Sequence, residues 1–308
     1  MNKLHRSWIL FKCSVSVVLQ NKKLLIFPFL SFIFTVAVLI CAAAPIAFLD
    51  TGHGLGQAEH WKAVTHKLFS ASTVDSVQGS TTRVTPKPLA VAIGAGVYLV
   101  SMFLATFFNV AFFHQILAAL RGQAVSINNG FQFAFSRIQA ILLWSLFAGV
   151  IGLIIKALEQ KVDILGKIIL RLVGTAWSVA SVFVIPVLIM EPDKNPVNVL
   201  RKSASTLKKT WGESLVGYLG LQMSGMIALC FSFVLLGCGI AASIAFHSFW
   251  IFAVAILFWI FFLFAFSYLT NVASQVYKCA LFVYASEGSI PQPYNSDLLE
   301  MAWKMKKS

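Results

Sequence analysis

Charge is what this chain has least of. Only 11% of its 308 residues are Asp, Glu, Lys or Arg, and just 11 residues are acidic. An ordinary soluble domain carries about 25% charged residues. Hydrophobic residues make up 58%, so bilayer is the solvent that this composition fits. Catalytic signatures are missing as well: no HExxH, no P-loop, no GxSxG and no dinucleotide fingerprint. Paired acids for general acid–base work are absent from every long apolar run. The expectation is therefore not an enzyme, with no cofactor. Cysteine is sparse. Cys13, Cys41, Cys230, Cys238 and Cys279 form no C-x-x-C pair and lie in or beside apolar segments. That argues against a disulfide framework or a metal site and leaves them as small hydrophobes.

What is present is a set of uncharged runs long enough to cross about 30 Å of hydrocarbon, roughly 20 helical residues each. They are Leu24–Leu49, Leu89–Leu120, Ile138–Ile155 and Leu172–Met190, followed by 64 residues without such a charge, Ser214–Tyr277. The last stretch must hold more than one helix. Gly237-Cys-Gly239 and His247-Ser248 are its turn signals, giving helices near 215–237 and 249–272. The expected fold is all-α: a polytopic membrane protein with six transmembrane helices and about three amphipathic inner-face helices. One transmembrane domain over 1–277, with an outer loop at 50–88, precedes a cytoplasmic tail over 278–308. The outer loop is rich in Ser, Thr and Gly and is expected to be partly disordered.

The net charge is +13. Its basic residues sit between apolar runs, so anionic lipid headgroups are the expected partner and nucleic acid is not. With both termini inside, the inner segments carry 16 Lys and Arg and the outer ones 8. The positive-inside rule then places both the N-terminus and the C-terminus in the cytoplasm, in a cell inner membrane. The loop 156–171, with Lys156, Lys161, Lys167 and Arg171, is the discordant segment.

The most basic inner loop reads MEPDKNPVNVLRKSASTLKKTWGE over Met190–Glu213. Asn195 suits a helix cap and Pro196 a first turn. Val197, Leu200, Ala204, Leu207 and Trp211 then fall within an arc of about 80°, with Ser205 and Thr206 on the polar side. The expectation is an interfacial helix whose Arg201, Lys202, Lys208 and Lys209, with Trp211, meet lipid headgroups. Similar stripes occur at Leu4, Trp8, Phe11, Val15 and Val18, and at Ile127, Phe131, Ala134, Phe135 and Ile138 behind Ser126 and Asn128. The chain thus reads as three units, each an inner-face helix followed by a hairpin. A fourth stretch, Lys156–Arg171, aligns Leu158, Val162, Leu165 and Ile169 on the outside.

Few polar groups stand out. His114 is the ionisable side chain within a span; beside Gln115 it reads as a satisfied structural group, and Asn109 as interhelical glue. Asn271 and Gln275 read the same way. Glu191 sits at the inner end of the fourth run before Pro192, where the helix dipole disfavours an anion. It is expected to tie that helix to a cation, with Lys194, Arg201, Lys12 and Lys22 as candidates. Glu159 and Asp163 are spaced like an acidic pair but read as a solvated face. Small residues mark helix contacts at Gly149 and Gly152, at Gly174, Ser178 and Ser181, and at Gly217, Gly220 and Gly225. Trp8, Trp61, Trp144, Trp177, Trp211 and Trp303 read mostly as interface anchors.

Several runs carry a resemblance: FFN at Phe107–Asn109 before AFFHQ, ILLW ending at Trp144, GLIIKALEQ, GTAWSVASVFVIPVLIMEP and RKSASTLKKTWGE. They resemble an uncharacterised family of six-span bacterial and archaeal membrane proteins, defined as a domain of unknown function. The likeness is strong over about 98–220. More distantly the chain is similar to the membrane domain fused to some glycerophosphodiester phosphodiesterases, without their catalytic domain. The family pattern maps onto Asn109, Trp144, Glu159, Trp177, Pro186, Glu191, Ser203, Trp211 and Gly212. His114 and Gln115 depart from it. This resemblance implies architecture and no chemistry. The expected function is a non-enzymatic membrane-organising, lipid-interacting or partner-binding module. A protein partner or second copy is the other partner class, and a carrier for a lipid or apolar solute is the alternative function.

Overall fold

The computed structural model describes residues 3–76, 79–159, 161–209, 229–230, 232–291 and 293–294. It is a helical bundle. Helix α1 (Lys3–Gln20) leads through a 3-10 turn at Lys22–Leu25 into α2 (Ile26–Ala47). The segment between α2 and the next long helix holds α3 (Ala58–Leu68) and an antiparallel hairpin of β1 (Phe69–Ser76) and β2 (Gly79–Pro86). Next come α4 (Pro88–Leu120), α5 (Ile127–Ser136) and α6 (Ile138–Glu159), then α7 (Ile164–Ala180), α8 (Val184–Met190) and α9 (Pro196–Lys209). Finally α10 (Ser232–Ala245) turns into α11 (Phe249–Glu287).

Five helices among the described residues are long and apolar enough to cross a membrane: Lys22–Ala47, Pro88–Leu120, Ile138–Glu159, Leu165–Met190 and Phe249–Glu287. The expected span 215–237 lies largely outside the described residues. Its described neighbour α10 is a shorter apolar helix. Gly237 and Gly239 are helical rather than a turn; the chain reverses at His247, whose φ of 48° marks the tight point.

The two ends of the bundle have different surroundings. Helix α4, with 33 residues, and α11, with 39, are about 50 and 58 Å long, well beyond the hydrocarbon thickness. Their first halves expose large side chains such as Phe258, Phe261 and Phe264, the last at 74%. That much exposed apolar surface needs lipid to cover it. Their last turns are buried: Thr106–Phe108 and Val110–Phe113 on α4, Val272, Ala273 and Val276 on α11. These pack with α1, α5, α8 and α9 into one core.

Ionic and hydrogen-bonded ties close that end. Arg121 pairs with Glu287 at 2.8 Å, joining the ends of α4 and α11. Gly288, in the left-handed region at φ 68°, caps α11 and turns the chain back. The buried Tyr294 hydroxyl then meets the Ser14 hydroxyl of α1 at 2.8 Å, and burial pushes its phenol pKa well up. The boundary expected at 277 therefore falls inside α11, and residues to Tyr294 pack on the bundle.

Three further expectations are corrected. The segment 50–88 carries secondary structure. Buried His60 on α3 bonds the Thr51 hydroxyl at 2.6 Å and the Ala47 carbonyl at 2.8 Å, anchoring the cap to α2. Thr and Val recur through 73–85 and favour strand, which an argument from Ser and Gly content misses. The stretch 156–171 is no separate helix: Glu159 ends α6 and Asp163 caps α7, accepting from the Gly166 amide at 3.0 Å. The acidic pair is thereby split between two helices. Trp144 is 5% exposed, not an interface anchor; it stacks on Trp177 at 6.1 Å with planes 2° apart, clamping α6 to α7.

Candidate functional site

The fourth span is broken. Helix α7 ends at Ala180, α8 begins at Val184, and the residues between them form a turn. Breaking a helix frees backbone groups that lipid cannot satisfy. Ser203 of α9 satisfies them here. Its hydroxyl donates to the Ala180 carbonyl at 2.6 Å and accepts from the Phe183 amide at 3.0 Å. Both Ser203 and Phe183 are fully buried.

This changes the reading of α9. The buried face is Val199, Ser203, Thr206 and Leu207, a stripe at i, i+4, i+7 and i+8. It is rotated from the stripe expected at Val197, Leu200, Ala204 and Leu207; Val197 is 48% exposed and Thr206 is inside. Hydrophobicity misjudged the face because the neighbour to be covered is partly polar backbone. Helix α9 docks on α7, α8 and α11. Pro196 does open it, and Asn195 accepts from the Val197 amide at 3.0 Å.

The site residues expected from sequence scatter around this joint. Arg201, Lys202, Lys208 and Lys209 are all exposed. Trp211 lies outside the described residues. Glu191 pairs with Lys202 at 3.2 Å, across to α9, a partner other than the four candidates. The carbonyl of the residue that caps α8 meets a cation of its own: Arg137 donates to the Glu191 carbonyl at 3.1 Å. Lys194 donates instead to Gln139 at 2.7 Å. Asp193 accepts from the Asn195 amide and from the Asn198 side chain, each at 2.8 Å, and these bonds, the Asn195 one first, hold its carboxyl below the usual value.

His114 and Asn109 part company. His114 stacks on Phe133 at 4.0 Å and meets the Gln115 side-chain nitrogen at 3.1 Å. The buried Gln115 oxygen accepts from the Ser126 amide at 2.7 Å. This pair holds the α4–α5 corner. Asn109 is exposed and opens onto a cavity of ≈ 510 Å³ between α4, α7, α9 and α11. Gln275 and Lys278 of α11 line the same cavity, with Thr175, Ser178 and Ser181 beside the helix break and Leu207 of α9 at its wall. Two other hollows, between α10 and α11 and between α2 and α11, are lined almost wholly by apolar groups.

Sequence reasoning missed Lys278, counted with the tail, and the role of Ser203. The signal for Lys278 is its spacing: Asn271, Gln275 and Lys278 recur at i, i+4 and i+7 on one helix. Ser203 carried no local signal, because its partners are 20 and 23 residues away. The glycine readings divide. A Cβ at Gly149 would lie 2.6 Å from Leu99 Cδ2, and one at Gly152 would strike the Tyr98 hydroxyl, so α4 and α6 meet closely there. Nothing approaches Gly174 within 4 Å. Gly217, Gly220 and Gly225 lie outside the described residues.

Apolar spans, a bilayer-length bundle and a broken helix satisfied from within define a multi-pass membrane protein. Its particular kin follow from the family comparison: a family of unknown function (DUF6159) matches over residues 90–291. The chain belongs to that family, and the match covers α4 to α11, the whole of the broken span and its cavity. No curated protein matches the chain. No solved structure matches it either.

Proposed function

We propose that this chain is a non-enzymatic, lipid-interacting module of the cell inner membrane, with its basic end in the cytoplasm. The observation that carries the reading is the division of α9. Its buried face is spent on the bundle, and Arg201, Lys202, Lys208 and Lys209 are left exposed beside the core. Cations held there gain about 1 kcal/mol each near an anionic leaflet before screening. Lys202 contributes less, because Glu191 already neutralises it. In this reading 215–237 crosses as a sixth span, both termini are cytoplasmic, and the phosphodiesterase likeness concerns membrane architecture alone.

A carrier for a lipid or apolar solute is the second reading. What favours it is the helix break beside a partly polar cavity, an arrangement that transporters use for substrate sites. What weighs against ion-coupled transport is the scarcity of acidic groups in the spans. Native mass spectrometry at low ionic strength tests the first reading. The wild type should carry more phosphatidylglycerol than phosphatidylcholine, and replacing all four α9 cations by Gln should erase the preference. An equal preference in both proteins refutes it.

A further inference from the structure

We propose that the groove between α2 and α11 is a seat for one anionic phospholipid, with its acyl chains between the two helices and its phosphate beside Lys22 and Asn271. The inference deepens the lipid-interacting reading and rests on it, but it concerns helices other than α9.

The two helices run in opposite directions. Arg121 and Glu287 join the last turns of α4 and α11, so those two run alike. Phe27 stacks on Phe112 and Phe34 meets Phe108, so α2 runs against both. The Tyr268 hydroxyl of α11 donates to the Leu25 carbonyl and fixes their level. From that tie Asn271 lies about 4.5 Å further toward the basic end. Lys22 opens the 3-10 turn, about 6 Å further the same way. Leu25 precedes Pro28, Phe29 and Phe32 by three, four and seven residues, so all four share the face that lines the groove. Residues three apart in a 3-10 turn eclipse, which continues that face down to Lys22.

Two independent features put this level at the edge of the hydrocarbon. On α2 the uncharged run starts directly after Lys23, as at the mouth of a span. On α11 the exposure of large side chains ends here: Phe261 and Phe264 are 71% and 74% exposed, whereas Val272, Ala273 and Val276 are buried. The groove therefore begins among headgroups and rises into the acyl layer.

Its chemistry follows that gradient. Phe29, Phe32, Phe261 and Phe264 form the walls, and the small Ala265 leaves a slot between them. The volume, ≈ 710 Å³, falls in the range of ligand pockets. The polar groups Ser267, Tyr268 and Asn271 gather at the lower end. Asn271 is exposed and makes no hydrogen bond among the described residues. Its amide can donate to a phosphate oxygen and accept from a glycerol hydroxyl. Lys22 is exposed and makes no ion pair among the described residues. A cation and an amide at headgroup level, below an aromatic slot, select an anionic phospholipid over a zwitterionic one.

The test uses the intact protein in nanodiscs, with traces of phosphatidylglycerol or phosphatidylcholine carrying a diazirine in one chain. Mass spectrometry locates the cross-linked peptides. Phosphatidylglycerol should label 28–32 and 261–265 about fivefold more than phosphatidylcholine at low ionic strength, the ratio that one basic residue gives near an anionic headgroup. Lys22→Gln should bring the two probes to equal labelling, and Lys22→Arg should keep the difference. Phosphatidylcholine labelling that stays constant in Lys22→Gln shows that the groove is still folded. Asn271→Leu should reduce the difference about twofold or more, as for a lost hydrogen bond. Ala265→Phe fills the slot and should lower labelling by both probes.

Equal labelling by the two probes in the wild type would overturn the proposal and leave only boundary lipid in the groove. So would a preference that survives Lys22→Gln. Neither result touches the α9 cations, which native mass spectrometry tests separately. The four-fold α9 Gln variant should keep the groove's preference. If that variant shows the α9 cations to be indifferent to lipid while groove labelling still follows Lys22, the α9 assignment falls and the groove stands.

Discussion

Replacing Ser203 by Ala removes one oxygen and leaves two backbone groups without partners. The Phe183 amide has the Ser203 oxygen as its acceptor, 3.0 Å away, in a residue with no exposed surface. The Ala180 carbonyl receives the hydroxyl proton at 2.6 Å. An unsatisfied buried backbone group costs about 1–3 kcal/mol. Ala180 is only half-buried, so its carbonyl falls at the low end, and the sum is about 2–4 kcal/mol. Ser145→Ala is the matched control. Ser145 is also buried, but its hydroxyl only adds to the Ile141 carbonyl of its own helix, and losing it should cost under about 1 kcal/mol. Unfolding in mixed micelles by SDS titration gives both numbers. Hydrogen exchange at 181–184 supplies the local readout, rising in Ser203→Ala and unchanged in Ser145→Ala. If the two variants are equally stable and the 181–184 amides stay protected, the helix break is not held by α9 and the reasoning fails.

Two other substitutions probe different parts of the bundle. Glu191→Gln should lower stability by less than about 1 kcal/mol, an effect that shrinks with salt, because the Lys202 pair is 56% and 40% exposed; a loss above about 2 kcal/mol in the same titration would mean a buried partner. Gly174→Ala should raise stability by about 0.5–1 kcal/mol, since nothing approaches that position and Ala is the better helix former. Gly130→Ala should lower it by about 1–3 kcal/mol, because its Cβ would meet Phe27 Cζ at 2.9 Å and the Ala111 carbonyl at 3.1 Å. Thermal melts of the two variants in the same detergent decide the signs.

Composition and charge spacing were enough for the class of protein and for the positions of most spans. Solvent identity and crossing length depend on the residues themselves: 20 or so apolar side chains in a row must leave water wherever their neighbours lie. That is why Leu24, Pro88, Ile138 and Phe249 could be read as boundaries to within a few residues. The presence of a helix opened by Pro196, and of a Ser126 cap on α5, followed from equally local chemistry.

Tertiary structure decided the rest. The break at 181–183 is invisible locally, because GTAWSVASVFVIPVLIM is uncharged throughout and Pro186 falls in the first turn of α8, where proline is tolerated. It exists because Ser203 arrives from another helix to satisfy the freed groups. The buried face of α9 is set by what it covers, so a hydrophobic stripe could not locate it. Trp144 became a core residue because Trp177 lies over it. Lys278 became a pocket residue because α11 runs on to Glu287 and brings it level with Asn109. The sequence by itself determined which solvent this chain lives in; only the packing of its helices decided which polar groups would share one cavity.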